Sequence, residues 1–166
     1  MKISKTEIND LLLLKPTIFE DERGHFFESY NLNRISEAIG GEIQFVQDNH
    51  SFSKKGVLRG LHLQASKPQF KLVRCTRGKI FDVAVDLREN SETFKKWYGC
   101  ELSENNKNQL CIPAGFAHGF LTLSDFAEVQ YKVNTFYDPM DEKTILWNDE
   151  EIGILWPNKS KSNYLI

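Results

Sequence analysis

Ile80-Phe81-Asp82-Val83-Ala84-Val85-Asp86-Leu87 alternates in character at nearly every step. In an extended chain Phe81, Val83, Val85 and Leu87 share one face, while Asp82, Ala84 and Asp86 share the other. A period of two is the signature of a strand, and Asp82 on the less apolar face is expected to look into a polar cavity. Gly78 separates this run from a second one, Lys71 to Arg77, so the two read as consecutive strands. Working outward, further strands are predicted at 12–19, 24–30, 43–53, 56–63, 96–102, 109–112, 119–124 and 126–134, with the gaps marked by Gly, Asn, Asp, Ser and Pro. Only 33–39, closed by Gly40-Gly41, reads as a helix; a further single turn near 103–107 would be capped by Ser103. About ten short strands in one domain, 1–166, predict an all-β sandwich or barrel with one or two short helices.

Composition narrows the functional classes. The 166 residues are 40% hydrophobic and 12% aromatic, enough for a core that stands alone. Twenty-one basic against 23 acidic side chains leave a net charge of −2, so no global field draws the chain to nucleic acid or an anionic membrane. Local cations must hold any anionic ligand. Cys75, Cys100 and Cys111 are odd in number and lack CxxC spacing, which argues against a disulfide framework or a structural zinc site and for a reduced, cytoplasmic setting. Leu11-Leu12-Leu13-Leu14, closed by Lys15-Pro16, is far too short to span a membrane and reads as a buried strand.

The chemistry-bearing residues lie in the predicted strands. Val57-Leu58-Arg59-Gly60-Leu61-His62-Leu63-Gln64 carries a histidine, Lys71 opens the strand at 71–77, and Tyr131 sits within Gln130-Tyr131-Lys132-Val133. Such a trio suits removal of a proton from a carbon beside a carbonyl: one group acts as base, one steadies the oxyanion, and one returns a proton. Strict alternation puts Arg59 and His62 on opposite faces. For both to touch one ligand the strand must be distorted, and Gly60 is the residue that permits a bulge.

Several segments together resemble one family. They are Asp21-Glu22-Arg23-Gly24 with Phe26-Phe27-Glu28, Val46-Gln47-Asp48-Asn49-His50, Val57 to Gln64, Lys71-Leu72-Val73-Arg74, Phe81 to Asp86, Ile112-Pro113 through Ala117-His118-Gly119-Phe120, Tyr131-Lys132, and Leu146-Trp147-Asn148-Asp149. In this order and over nearly the whole chain they resemble the dTDP-4-dehydrorhamnose 3,5-epimerases, which invert carbons of a nucleotide-linked 4-keto-6-deoxy sugar. The resemblance implies a cupin-like double-stranded β-helix (jelly-roll barrel), a homodimer, a place in dTDP-rhamnose and polysaccharide biosynthesis, and no metal or other cofactor. By motif, the family's base falls on His62, its proton donor on Tyr131 and its cation beside the sugar on Lys71. Substrate contacts fall on Arg23, Glu28, Gln47, Asp48, Asn49, Arg59, His118 and Glu142, and the aromatic that stacks on the nucleotide base falls on Tyr137. Arg23 and Glu28 are expected to reach a neighbour's pocket.

The residue types fit that chemistry on their own terms. A hydrogen on C3 or C5 of a 4-keto sugar is acidic because its carbanion delocalises onto the carbonyl oxygen. An imidazole, with an unperturbed pKa of about 6.5, is a suitable base, and Lys71 supplies charge for the enolate. Inversion needs the new proton from the opposite face, where the Tyr131 phenol would deliver it. Bland readings remain open at this point: His62 as a satisfied histidine, Tyr131 as a core tyrosine, Lys71 and Arg59 as salt-bridge partners. Two other classes also stand: a catalytically silent sugar-nucleotide binder, and a metal-dependent cupin oxygenase or isomerase. Against the metal reading, Gln64 occupies the place where His62-Leu63 would be followed by a second histidine, and His25, His50, His62 and His118 are scattered. Relatives that invert only C3 or only C5 share the same histidine and tyrosine, so the motifs define the reaction type better than the product.

One segment departs from the family. After Trp156-Pro157 the family pattern Leu-Ser-x-Lys-Asp is replaced by Asn158-Lys159-Ser160-Lys161-Ser162-Asn163-Tyr164, so the aspartate that partners the family's histidine is expected to have no counterpart here. Asp82, or a water, is expected to take part of that role, or the activity to be reduced or altered.

Overall fold

In the computed structural model, residues 1–157, 164 and 165 are described. Thirteen strands and one helix follow in chain order: β1 (Lys2–Lys5), β2 (Leu12–Lys15), β3 (Ile18–Asp21), β4 (Gly24–Phe27), α1 (Leu32–Ile39), β5 (Gln47–Lys54), β6 (Leu58–Gln64), β7 (Lys71–Arg77), β8 (Lys79–Asp86), β9 (Trp97–Ser103), β10 (Gln109–Ile112), β11 (Phe116–Thr122), β12 (Phe126–Val133) and β13 (Glu142–Thr144). They make a six-stranded sheet in the order β1-β2-β10-β7-β12-β5, a five-stranded sheet in the order β13-β6-β11-β8-β9, and the separate hairpin β3-β4. Neighbouring strands are antiparallel. The non-consecutive order is that of a jelly roll, as expected, and it brings distant segments side by side.

Alternation sorts the side chains into an inside and an outside. Val73, Leu110, Ile112 and Val129 of the larger sheet meet Ile80, Ala84, Phe116 and Phe120 of the smaller one in the barrel interior. The face of β8 richest in apolar residues points the other way. Phe81, Val83, Val85 and Leu87 pack outside the barrel with Trp97, Trp147, Ile152, Ile154 and Trp156. Because both faces of β8 are covered, Asp82 on its inner side is fully buried. On the outer side of the larger sheet, α1 contributes Ile35 to a cluster with Leu12, Leu14, Leu72 and Cys111. Asn31 caps α1, its side chain accepting from the Arg34 N–H, and Gly40 ends it at φ 69°, a left-handed conformation that glycine adopts without a steric cost.

Some boundaries differ from expectation. The segment predicted at 12–19 is two strands, β2 and β3, broken at Pro16, which has no N–H for a ladder. β11 starts at Phe116 rather than 119 because every residue in it is buried, which hides the alternation. β1 and β13 were not anticipated: Lys2–Lys5 and Glu142–Thr144 are too short and polar to show a period. Residues 103–107 form a turn without a helix, although Ser103 Oγ does accept from the Asn106 N–H at 3.2 Å. The family departure at 158–163 lies outside the described residues.

Candidate active site

β6 is where the sequence tension between Arg59 and His62 is resolved. Arg59 pairs with Phe120 and His62 with His118, so three steps along β6 oppose two along β11. That extra residue is a bulge. Gly60 sits in it at φ 109°, where a Cβ would lie 2.6 Å from both Gly119 Cα and the His118 carbonyl oxygen. Only a glycine fits, and the expected distortion is present. Arg59 and His62 consequently line the same cavity.

That cavity has a volume of about 520 Å³ and opens between the two sheets. His62, Arg59 and His118 reach it from the five-stranded sheet; Lys71, Tyr131 and Asn49 reach it from the six-stranded one. On the larger sheet Tyr131 pairs with Val73 and Val133 with Lys71, which leaves the phenol and the ammonium two positions apart on one face of neighbouring strands. Tyr137 and Glu142 complete the rim, joined by a 3.0 Å hydrogen bond from the Tyr137 hydroxyl to Glu142 Oε2. Gln47 lies just behind, accepting from the Tyr137 N–H at 3.0 Å and donating to Asn49 Oδ1 at 2.7 Å.

The electrostatics differ for each member of the trio. Lys71 is 7% exposed and its ammonium has no hydrogen-bond partner among the described residues; burial pulls its pKa down to about 8, against the opposing charges of Asp82 and Glu142. Burial also lowers the pKa of the His62 imidazole, a shift opposed by the Glu142 carboxylate and reinforced by Lys71, His118 and Arg59. Desolvation, followed by Glu142, raises the pKa of the Tyr131 phenol. At neutral pH the cavity therefore holds a largely neutral imidazole, a largely charged amine and an intact phenol.

Asp82 is not beside His62. Its Oδ1 lies 2.9 Å from His118 Nε2, both side chains buried, because β8 and β11 are adjacent and both side chains point inward. The anticipated Asp82–His62 pairing is thereby corrected. His62 Nδ1 instead faces Thr144 Oγ1 at 3.3 Å and Glu142 Oε1 at 3.6 Å, both from β13.

Three other anticipated contacts stand apart from this cavity. Asp48 is on the outer face of β5, bonded to Lys132 Nζ at 2.8 Å, since strand alternation sends it away from Asn49. It lines a second cavity of about 380 Å³ with Arg74 and Gln130, which shares Asn49 and Tyr131 with the main one. Arg23 is exposed at the β3-β4 turn, held by Asp21 at 2.6 Å. Glu28 accepts from Asn31 Nδ2 at 2.9 Å, next to α1. Sequence reasoning missed Ser51, Gln69 and Thr144, which also line the main cavity. Ser51 was legible in principle as the next inward position after Asn49 on β5; Thr144 was not, because β13 carries no periodic signal. Among the described residues, no group of three or more His, Cys, Asp or Glu is arranged to hold a metal ion.

The jelly-roll barrel is of the cupin-like class, and its polar lumen joins an imidazole, a buried ammonium and a phenol, groups able to take, steady and return a proton. Comparison with known proteins gives the class its particular form. The profile of the dTDP-4-dehydrorhamnose 3,5-epimerase family matches residues 5–164, and the chain belongs to that family of epimerases. It is 59% identical over 158 residues to the dTDP-4-dehydrorhamnose 3,5-epimerase of Salmonella typhimurium, covering 95% of this chain and 86% of that one. The crystal structure of dTDP-4-dehydrorhamnose 3,5-epimerase from Elizabethkingia anophelis superposes with a TM-score of 0.94 at 49% identity, over 99% of this chain and 90% of that one. A dTDP-6-deoxy-D-glucose-3,5-epimerase from Legionella pneumophila, in complex with dTDP-4-keto-L-rhamnose, superposes with a TM-score of 0.91 at 48% identity, over 94% of this chain and 83% of that one.

Proposed function

We propose that this chain epimerises C3 and C5 of dTDP-4-dehydro-6-deoxy-D-glucose, giving dTDP-4-dehydro-L-rhamnose, without a metal. The observation that carries the reading is the placement of His62 on one sheet and of Lys71 and Tyr131 on the other, around one cavity. His62, largely neutral because of its burial, takes the proton from the carbon next to the keto group. The electron pair moves onto the carbonyl oxygen, and the Lys71 ammonium stabilises the enolate that forms. Removing one such preorganised donor typically raises a barrier by about 3–4 kcal/mol. Tyr131, kept protonated by its raised pKa, delivers a proton from the other side; the phenolate then regains one from solvent and the His62 imidazolium releases its own to solvent, which restores both groups.

Substrate binding follows from the remaining side chains. Tyr137 offers its ring to the nucleotide base, and Arg59, Asn49, Gln47 and His118 offer polar contacts. Arg59 and Lys71 offset the diphosphate in a chain whose net charge is −2. In this reading the protein works in the cytoplasm as a homodimer. Arg23 and Glu28 lie outside this chain's own cavity, and the hairpin bearing Arg23 exposes Phe19 and Phe26 at 62% and 73%, an arm suited to a neighbour's pocket. No helix among the described residues is long and apolar enough to cross a membrane.

Solvent deuterium exchange tests the reading directly. NMR of dTDP-4-keto-6-deoxyglucose incubated with the protein in D₂O should show label at C3 and C5. Label at one carbon alone would make it a single-position epimerase. Tight binding without exchange at either would overturn the catalytic reading in favour of a silent binder.

A further inference from the structure

Arg59 differs from the other arginines in the company it keeps. Arg23, Arg34, Arg77 and Arg88 each pair with an aspartate or glutamate, and Arg74 donates to Gln130 at 2.8 Å. Both partners of Arg59 are uncharged and lie on β5: Nε donates to Ser53 Oγ at 2.8 Å, and Nη2 donates to the Phe52 carbonyl oxygen at 3.2 Å. Among the described residues no carboxylate pairs with it. Arg59 lines the main cavity, while Ser53 stands behind it, 3% exposed. β5 and β6 belong to different sheets, so the side chain spans the opening between them.

The local sequence explains both ends of this contact. β5 is the edge of the six-stranded sheet, and an edge strand has backbone carbonyls without a strand partner, open to a side chain. Alternation along β5 turns Asn49, Ser51 and Ser53 inward and Phe52 outward, where its ring stacks on Phe126. The bulge at Gly60 turns Arg59 inward to meet them. A serine hydroxyl has lone pairs and no charge, so it fixes the guanidinium without neutralising it. A carboxylate in its place would cancel the charge that an anionic ligand needs. With one edge of the planar group, Nε and Nη2, tied to β5, the end formed by Nη1 and Nη2 keeps free hydrogens. That end matches two oxygens of a phosphate at once.

We infer that Ser53 is a positioning residue for substrate binding: together with the Phe52 carbonyl it holds the Arg59 fork in the cavity wall, set in advance to grip the diphosphate of the nucleotide sugar. The inference rests on the proposed reading of Arg59 as a diphosphate contact. A free arginine must be ordered when the ligand arrives, which typically costs about 2- to 10-fold in affinity. Here that order is present before binding. A bond between two sheets also braces the barrel, and the experiment separates the two roles.

The test uses the full chain with Ser53→Ala, Ser53→Thr, Arg59→Ala and the Ser53→Ala/Arg59→Ala double variant, titrated with dTDP and with thymidine. Ser53→Ala should weaken dTDP about 2- to 10-fold. It should raise KM for dTDP-4-keto-6-deoxyglucose in the same proportion and leave kcat near native, because the lost order serves ground state and transition state alike. Thymidine, which lacks the diphosphate, should bind native protein and Ser53→Ala equally. Ser53→Thr keeps the hydroxyl and should restore dTDP affinity. In heteronuclear NMR the Arg59 Nε–H, shielded by Ser53 Oγ, should exchange with water faster in Ser53→Ala. Arg59→Ala should weaken dTDP about 10- to 100-fold, the usual loss of hydrogen bonds to a charged group, and Ser53→Ala should add nothing to it. Native dTDP affinity in Ser53→Ala, or an equal loss for thymidine, would overturn the positioning role. So would a further loss of dTDP affinity when Ser53→Ala is added to Arg59→Ala. If Arg59→Ala itself binds dTDP at native strength, the underlying assignment of Arg59 fails; if it binds weakly while Ser53→Ala binds as native, only the inference about Ser53 fails.

Discussion

Asp82 and His118 form a buried pair, Oδ1 to Nε2 at 2.9 Å, linking the middle strands of the five-stranded sheet on the lumen side. The second carboxylate oxygen of Asp82 has no protein partner. A buried pair of this sort has two consequences, one for the fold and one for the charge on Lys71.

Asp82→Ala strips His118 of its partner inside the barrel and should destabilise the protein by about 1–3 kcal/mol in urea unfolding, the usual cost of orphaning a buried polar group. Asp82→Asn keeps a hydrogen-bonding side chain of the same shape and should lose clearly less.

Asp82→Asn should also move the alkaline limb of the pH–rate profile. Burial lowers the Lys71 pKa to about 8, and the Asp82 charge works against that shift. Without the charge the ammonium loses its proton at a lower pH, so the rate should begin to fall below pH 8. An alkaline limb that does not move would detach Asp82 from Lys71.

Lys71→Met should show a trade between rate and stability. Loss of the cation should reduce kcat by about 10²–10³. The folded state binds the Lys71 proton more weakly than the unfolded chain does, so native stability should rise between about pH 8 and pH 10.5. At pH 7 the charged, buried amine opposes folding, and Lys71→Met should unfold at higher urea, by at most roughly 3 kcal/mol. A variant both inactive and less stable would contradict this.

Tyr131→Phe should separate the two halves of the reaction. Proton removal by His62 remains possible, so deuterium should still enter the substrate, returned to the face it left. Inverted product should fall by about 10² to 10⁴. Loss of exchange and inversion together would assign Tyr131 to the first step instead.

Gly60→Ala tests the bulge. The new methyl would meet Gly119 Cα and the His118 carbonyl at 2.6 Å on a backbone with φ 109°. The strand must shift, at a cost of at least about 1–3 kcal/mol, and epimerase activity should drop because Arg59 and His62 no longer share a cavity. Melting temperature and turnover report the two effects separately.

What was legible in the sequence was local. The alternation in β8, the Gly78 break before it and the requirement for distortion at Gly60 are all properties of neighbouring residues, and each is present in the fold. Chemical pairings across the barrel were not legible. Asp82 and His118 are 36 residues apart, and nothing in either segment says that β8 and β11 are neighbours. Glu142 was identifiable by motif as a site residue, but its position behind His62 depends on β13, three polar residues that become a strand only because β6 offers an edge. Asp48 shows the reach of alternation: the motif groups it with Asn49, while strict alternation along β5 sends its side chain to the outer face, against Lys132.

The side of β8 on which its grease lies has a further consequence. With Phe81, Val83, Val85 and Leu87 clad from outside by Trp147, Ile152, Ile154 and Trp156, much of the cohesion of that wall is supplied by an external jacket. The lumen is thus released to hold groups such as Lys71, Asp82 and His118 that a conventional interior would reject. Trimming the Trp147–Trp156 sheath should therefore weaken that wall from outside, away from the cavity that His62, Lys71 and Tyr131 line.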